Sequence, residues 1–374
     1  MARFLHTSDW QLGMTRHFLR EGAQEMFAQA RIDAIRKLGE VAMEKGCSFV
    51  VVSGDVFESN QVDRRTVVRA LEALGQVSLP VYLLSGNHDP LNEGSVYRSQ
   101  AFLKHKPANI HVLENECPVE VEKGVEVVGA PWATKKLAHD TVALACAKLA
   151  SGRNLRICVG HGIVDAFSPT TEDPSLISLK NAEKLIGDGI IQYLALGDRH
   201  SASNVGTTGR IWYSGSPEST DFGEVMAGMV LVVSLDDSSC QVEQVPLGTW
   251  QFIEEKVPLN SVEDLQALRE KLNEIGMKEK KIIKLRFEGT LNLTLRAQLE
   301  ELLAHYRDLL GALEVRDDNL VIIPDDADFS DLCFSGFAQK AVEDLKKRAS
   351  ETGGEGEIAK DALALLIRLA GGAA

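Results

Sequence analysis

The chain has no apolar run approaching the roughly 18 to 20 residues that a membrane span requires. Its opening stretch turns polar at His6 after two apolar residues and carries no hydrophobic region of a secretory signal, so a cytoplasmic setting is expected. Cysteine is sparse. The six thiols, Cys47, Cys117, Cys146, Cys158, Cys240 and Cys333, form no Cys-x-x-Cys pair and several lie in apolar contexts, which speaks for reduced, buried thiols. A surplus of positive charge is missing as well: 40 Lys and Arg face 54 Asp and Glu, for a formal charge of -14. That balance argues against a protein that coats nucleic acid by bulk electrostatics. It leaves a nucleic-acid enzyme open, because bound divalent cations or a basic partner can supply the missing field. No repeat of solenoid length stands out.

What remains is an ordinary globular composition, 44% hydrophobic and 25% charged, spread over 374 residues and so enough for two domains. The most informative stretch is 79–90. A short apolar run, rich in residues that suit a buried strand, stops at Gly86 and hands over to Asn87, His88 and Asp89. Alone this would read as a turn. The same grammar recurs. A strand predicted over 3–7 ends in Asp9 and Gln11, and one over 47–52 in Gly54 and Asp55. Strands over 155–159 and 190–196 end in Gly160 and His161 and in Gly197, Asp198 and His200. Helices are expected over 25–45, 64–74 and 140–149, with further strands over 125–130, 210–214 and 229–235. Five strand ends thus carry Asp9/Gln11, Asp55, Asn87/His88, His161 and Asp198/His200, and strand ends in open α/β architectures converge on one rim.

The side chains offered there are oxygen-rich with two or three imidazoles, a set that suits Mn, Fe, Zn or Mg better than a thiolate site would. A pair of divalent cations about 3.5 to 4 Å apart would clamp the attacking and departing oxygens of an in-line phosphoryl displacement. Asp55 is the candidate for a carboxylate shared by both ions.

Beyond residue 247 the pattern changes. The order strand 251–257, helix 262–275, strand 281–287, helix 293–310, strand 313–316 and strand 320–323 describes a small α+β unit without metal-ligand grammar. Two amphipathic helices, 335–349 and 358–369, follow, joined by a Gly-rich linker over 352–356; each reads first as a surface helix that covers the small domain and second as a docking helix for a partner.

The ordered motifs Asp9-x-Gln11, Gly54-Asp55, Gly86-Asn87-His88-Asp89, Gly160-His161 and Gly197-Asp198-x-His200 resemble those of calcineurin-like metallophosphoesterases. More narrowly, His6-Thr7-Ser8-Asp9-Trp10, Gly54-Asp55-Val56-Phe57 and Tyr213-Ser214-Gly215-Ser216-Pro217 resemble the SbcD-like branch, the nuclease subunits of double-strand-break repair. The likeness covers roughly the first 235 residues. It implies an α/β fold, a metallophosphoesterase β-sandwich flanked by helices over 1–247. A small α+β capping domain over 248–330 and C-terminal helices over 331–374 would follow.

The resemblance further implies one ion held by Asp9, Gln11, Asp55 and His200 and a second by Asp55, Asn87, His161 and Asp198. His88 would contact the scissile phosphate and protonate the leaving oxygen or stabilise its charge, with Glu58 or Asp89 orienting its ring. His17 is a further candidate for reaching substrate. DNA would be the substrate, cut as exonuclease and endonuclease, and an SbcC-type coiled-coil ATPase the partner, gripped by the C-terminal helices. A homodimer is left open.

Two positions depart from the family pattern, which usually has His where this chain has Gln11 and Asp198. Gln is a weak neutral ligand and Asp adds negative charge, so the first ion should be held less tightly and the second should favour Mn, Mg or Fe over Zn, with Mn the first choice. Two rival readings stay open. One is a phosphodiesterase for a nucleotide or other small diester; the other is a non-catalytic scaffold of the ATPase with a weakened metal site. His6 is expected to pack beside the first strand, and His105, His111, His139 and His305 to be surface or loop residues. Trp10 and Trp132 read as cleft wall or core, and the basic cluster Lys278, Lys280, Lys281 and Lys284 as a solvated face.

Overall fold

The computed structural model describes residues 1–170, 173–322, 337–350 and 353–371. Cys333, the boundary expected at 330–331 and parts of the expected C-terminal helix and linker lie outside the described residues. The chain divides into two compact units, residues 1–17 with 24–251 and residues 18–23 with 252–374.

In the first unit β1 (Ala2–Thr7), β2 (Phe49–Val52) and β3 (Val81–Leu83) run parallel, and β4 (Ile110–Val112) extends them. Antiparallel β11 (Met229–Leu235) and β12 (Cys240–Pro246) complete a six-stranded sheet in the order β12-β11-β1-β2-β3-β4. The second sheet has the order β5-β6-β7-β8-β10-β9. It is built from β5 (Val119–Glu122), β6 (Val125–Gly129), β7 (Leu155–His161), β8 (Tyr193–Gly197), β9 (Ser203–Asn204) and β10 (Ile211–Tyr213).

Phe4, Phe49, Val51 and Tyr82 of one sheet pack with Val127, Ile157, Val159 and Tyr193 of the other in a common core. Alternate side chains of each sheet face outward: Leu5, Val50 and Val52 pack with Ile35, Leu38 and Leu71, from helices α1 (Glu21–Glu44) and α2 (Arg64–Gly75). Across the sandwich Cys158, Leu194 and Leu196 pack with Val142 and Leu185, from α4 (Thr141–Cys146) and α5 (Leu179–Gly187). Strands buried on both faces explain the near-continuous apolar runs that make them legible. The short helix α3 (Gln100–His105) is capped by Ser99, whose hydroxyl accepts from Phe102 N.

Register decides where the polar loops begin. Thr7 stands beside Val52, and Val52 beside Leu83, so three strands of the first sheet end level. In the second sheet His161 stands beside Gly197.

In the second unit a three-stranded sheet, β13 (Gln251–Leu259), β14 (Lys281–Leu291) and β15 (Ala312–Ile322), packs against α6 (Val262–Glu274) and α7 (Leu293–Leu309) through Leu265, Leu285, Phe287 and Leu299. Strand β15 corrects an expectation. The polar run Asp317, Asp318 and Asn319 suggests two strands, yet β15 continues through it in parallel with β14, and a register shift between Arg286 and Glu288 absorbs the irregularity. The expected Gly-rich linker is also shorter, since the helix α9 (Gly354–Gly371) starts inside it. Ala359 and Leu363 of α9 and Val342 and Ala349 of α8 (Phe337–Ala349) pack with Leu293 and Ala297 of α7, and that burial outweighs the helix-breaking tendency of glycine.

His6 lies wholly inside the sandwich. Its Nδ1 meets the Tyr193 hydroxyl at 3.2 Å and its Nε2 the Ser53 hydroxyl at 3.0 Å. Burial pushes its pKa down to about 3. An imidazole lowered from about 6.5 is neutral in the fold and charged in the unfolded chain between those values, so stability falls as pH drops through that window. Replacing His6 with Asn should reduce the proton uptake on acid unfolding between pH 6.5 and 3 by about one, read from the pH dependence of urea midpoints. An unchanged slope would mean that His6 titrates normally.

Candidate metal centre

The level strand ends deliver their polar residues to one place. Asp9 follows β1, Asp55 follows β2, Asn87 and His88 follow β3, His161 closes β7, and Asp198 and His200 follow β8. Among the described residues five non-glycine residues adopt positive φ, and four of them are Asp9 (54°), Gln11 (43°), Asp55 (51°) and Asp198 (96°). Left-handed backbone costs an L-residue roughly 1 to 2 kcal/mol, so the loops hold this strain through the hydrogen bonds that cross-link them. Asp9 N donates to Gly54 O, Gln11 N to Asp55 O and Leu12 N to Val56 O, zipping the β1 loop to the β2 loop.

The donor atoms converge. One ligand atom each of Asp9, Asp55 and His161 lies within 4.8 Å of the others. His161 Nε2 is 2.8 Å from Asn87 Oδ1, 3.4 Å from Asp55 Oδ2 and 3.7 Å from Asp198 Oδ1. His200 Nε2 is 3.9 Å from Asp9 Oδ1. Gln11 is buried, and its Oε1 has no hydrogen-bond partner. A buried amide oxygen left unpaired costs about 1 to 3 kcal/mol unless something electropositive meets it. Together with the oxygen and imidazole donors around it, this fits a divalent ion.

Electrostatics point the same way. Burial pushes the Asp9 carboxyl up despite the pull of His200 and His161, and burial likewise raises Asp198. Burial would also raise Asp55, but His161 and His88 hold it below the usual carboxylate range. For His161, burial opposes the charge, yet Asp55, Asp9 and Asp198 together lift it well above a normal imidazole. The cluster is short of positive charge.

Packing leaves no slack. A Cβ on Gly86 would lie 2.0 Å from Asp55 Oδ1, and one on Gly54, which also needs its φ of +88°, 2.3 Å from the His161 ring. His161 Nδ1 donates to Ser53 O at 2.8 Å, which leaves Nε2 facing the carboxylates. Trp132 donates its indole N–H to His161 O, and Trp10 donates to Thr7 Oγ1, so both tryptophans serve as buried struts.

His88 is half-buried at the edge of this cluster. Its backbone N–H donates to Asp55 Oδ1 at 3.0 Å, and its Nδ1 lies 2.9 Å from Glu58 O and 3.8 Å from the Glu58 carboxylate. The Asp89 carboxylate is taken up elsewhere. It accepts from Gly86 N, Phe57 N and Tyr97 Oη at 2.7, 3.0 and 2.6 Å, so it braces the loop rather than the His88 ring. His17 is exposed on the loop after β1.

Several supporting residues escape sequence reasoning. Glu224 and Thr220 hold His200: Nδ1 is 3.0 Å from Glu224 Oε1 and 2.6 Å from Thr220 Oγ1. Ser8 donates to Asp9 Oδ2 at 2.6 Å and contacts Ser214 at 2.8 Å, while Ser216 donates to Asp9 O at 2.9 Å. A carboxylate behind a ligating imidazole fixes its ring and raises its basicity, and losing it typically costs 10- to 100-fold in metal affinity. Glu224→Gln should therefore weaken Mn binding by about 10- to 100-fold in a calorimetric titration while the far-UV spectrum stays native. Undiminished affinity would take Glu224 out of this role.

A stretch of 90 residues is 31% identical to the DNA double-strand break repair protein Mre11 of Archaeoglobus fulgidus, covering 23% of this chain and 19% of that protein. The protein of the same name from Methanococcus maripaludis is 32% identical over 90 residues, covering 23% of each chain. The match spans about a fifth of the length of these curated relatives. Among solved structures, TT1561 of Thermus thermophilus superposes over 65% of this chain and 98% of its own, with 11% identity and a TM-score of 0.40. The family model for calcineurin-like phosphoesterases matches residues 2–225, more than half of the chain and all of the strand ends described above. With its two helix-flanked, largely parallel sheets and an Asp/His cluster able to hold a metal, the chain belongs to the calcineurin-like phosphoesterases, a family of hydrolases that use divalent metals.

Proposed function

We propose that this chain is a metal-dependent phosphodiesterase that cuts DNA, a nuclease of double-strand-break repair working with an SbcC-type ATPase. The observation that carries the reading is the convergence of Asp9, Asp55 and His161, with Asn87, Asp198 and His200 in contact around them. The DNA assignment is supported by the Mre11 likeness over 90 residues. The docking surface for the ATPase is assigned to the C-terminal helices, where Phe337 and Ile358 stand exposed.

Asp9, Gln11, Asp55 and His200 would hold one ion and Asp55, Asn87, His161 and Asp198 the other, with Mn the first choice for so oxygen-rich a set. The chemistry such ions supply when bound is Lewis-acid polarisation of the phosphoryl group and activation of water. The protein's own contribution is positional. The strained loops fix the donors before substrate arrives, so no reorganisation is needed at the moment of reaction. Glu58 O accepts from the His88 Nδ1–H and so turns the ring, leaving Nε2 3.9 Å from Asp55 Oδ2 in a side chain that is 37% exposed. From there a protonated Nε2 would deliver its proton to the departing oxygen.

A small diester is the second reading, favoured by the formal charge of -14. The two separate in one assay. Metal-stripped protein should be inert, and Mn should restore cleavage of both duplex DNA and bis-p-nitrophenyl phosphate. His88→Ala should lower turnover about 100-fold or more. Intact DNA beside hydrolysed bis-p-nitrophenyl phosphate would replace the nuclease reading with the small-diester one, and indifference to both Mn and His88→Ala would sink catalysis altogether.

A further inference from the structure

We infer that Arg199 binds a phosphate neighbouring the one that is cut, and thereby selects polynucleotide over isolated diesters; this rests on the phosphodiesterase reading and adds to it. Arg199 sits between Asp198 and His200 in the loop that leaves β8. Its guanidinium carbon lies 4.1 Å from the centroid of the Phe167 ring and 5.9 Å from that of Tyr213. Phe167 ends a single helical turn, Asp165–Phe167, in the loop that leaves β7. The stack therefore bridges the loop that follows His161 and the loop that carries Asp198.

Among the described residues no hydrogen bond or ion pair takes up the guanidinium, and its Nε is buried without a partner. In a chain with 54 acidic and 40 basic residues, and directly beside Asp198 in sequence, such a group would be expected to collapse onto a carboxylate. The aromatic stack prevents that. It holds the cation through the ring's quadrupole while leaving the planar fork free for a second oxyanion. The Tyr213 ring of the stack is wholly buried, whereas Phe167 is 42% exposed and Ile163 in the same loop 41%.

Position decides which phosphate. Among the described residues no ion pair joins Arg199 to Asp198; the guanidinium is held instead over Phe167 and Tyr213. A strand threading the centre would present its next phosphate to the rim between the β7 and β8 loops, where the guanidinium can take two oxygens at once. An exposed ring beside that fork is also what a flanking base would stack on. A fixed cation beside the acidic centre would offset part of the net charge of -14 that a polyanion meets.

The test uses the full chain in Mn, with Arg199→Met to remove charge at similar bulk and Arg199→Lys to keep charge without the fork. Binding of a fluorescein-labelled single-stranded oligonucleotide is read by anisotropy across salt concentrations in a His88→Ala background. Arg199→Met should weaken binding about tenfold and lower the log–log salt slope by about 0.7, with Arg199→Lys recovering part of both. In the His88 protein the ratio of kcat/KM for the oligonucleotide to that for bis-p-nitrophenyl phosphate should fall about tenfold. Affinity, slope and ratio equal to those of the parent overturn the proposal. So does an equal loss on both substrates, which would make Arg199 a support of the centre, and so does a parent protein that binds no oligonucleotide. A parent that binds with an Arg199-dependent salt slope yet cuts neither substrate would keep Arg199 as the contact to a polynucleotide phosphate and remove the phosphodiesterase reading.

Discussion

Repulsion among buried carboxylates is the constraint around which the first unit is arranged. Asp9 is fully buried, Asp55 nearly so, and the Asp198 side chain is mostly covered, all within one cluster. Such a group of like charges cannot stay ionised out of water without compensation. The fold answers in part with backbone N–H groups, since Asp198 N donates to Asp9 and His88 N to Asp55. It answers in part with imidazoles: burial opposes charge on His161, yet Asp55, Asp9 and Asp198 lift it well above a normal imidazole. A divalent ion would meet the carboxylates better than a proton does and leave the imidazole free to act as a ligand. Protons and metal would therefore compete for one set of atoms, and loading the centre would be coupled to the integrity of the loops around it.

Those loops can bear the strain because of where they are anchored. Parallel strands in register end level, so each polar loop starts from a rigid base, and successive loops are stitched to one another by backbone bonds from Asp9, Gln11 and Leu12. Ser8, Ser214 and Ser216 tie the second sheet's exit segment to the first sheet's loop, and Tyr97 ties Asp89 beneath the His88 turn. The two sheets thus divide the labour, one supplying most of the carboxylates and the other the imidazoles at the ends of β7 and β8.

Much of this is legible in the sequence, for a physical reason. Strands covered on both faces are apolar throughout, so their ends are abrupt, and an abrupt end carrying Asp, Asn or His is conspicuous. Elements that lack such contrast escape notice. Edge strand β12 shows weak alternation because one face meets solvent, and α5 buries little beyond Ala182 and Leu185. Strand β15 reads as two because Asp317, Asp318 and Asn319 look like a turn, although an edge strand tolerates them. In the centre itself the groups that touch one another across long sequence distances, Glu224 on His200 and Ser214 on Ser8, have no local signature at all. Asp89 misleads in the opposite direction: adjacent to His88 in sequence, it turns its carboxylate inward to Tyr97 and two backbone amides.

One consequence of the glycine contacts concerns how such a centre can change over time. Gly54, Gly86 and Gly197 each lie so close to His161, Asp55 or the Ser53 carbonyl that a single methyl group would occupy space already filled. Variation there is blocked by volume. Gln11 and Asp198, where the family resemblance implies imidazoles, differ from these in charge and basicity while still offering an oxygen, and the loops hold both at positive φ. Divergence in this pocket is thus free to run along the electronic character of its lining while its shape stays fixed, so relatives that share its outline can still differ in which ion they retain.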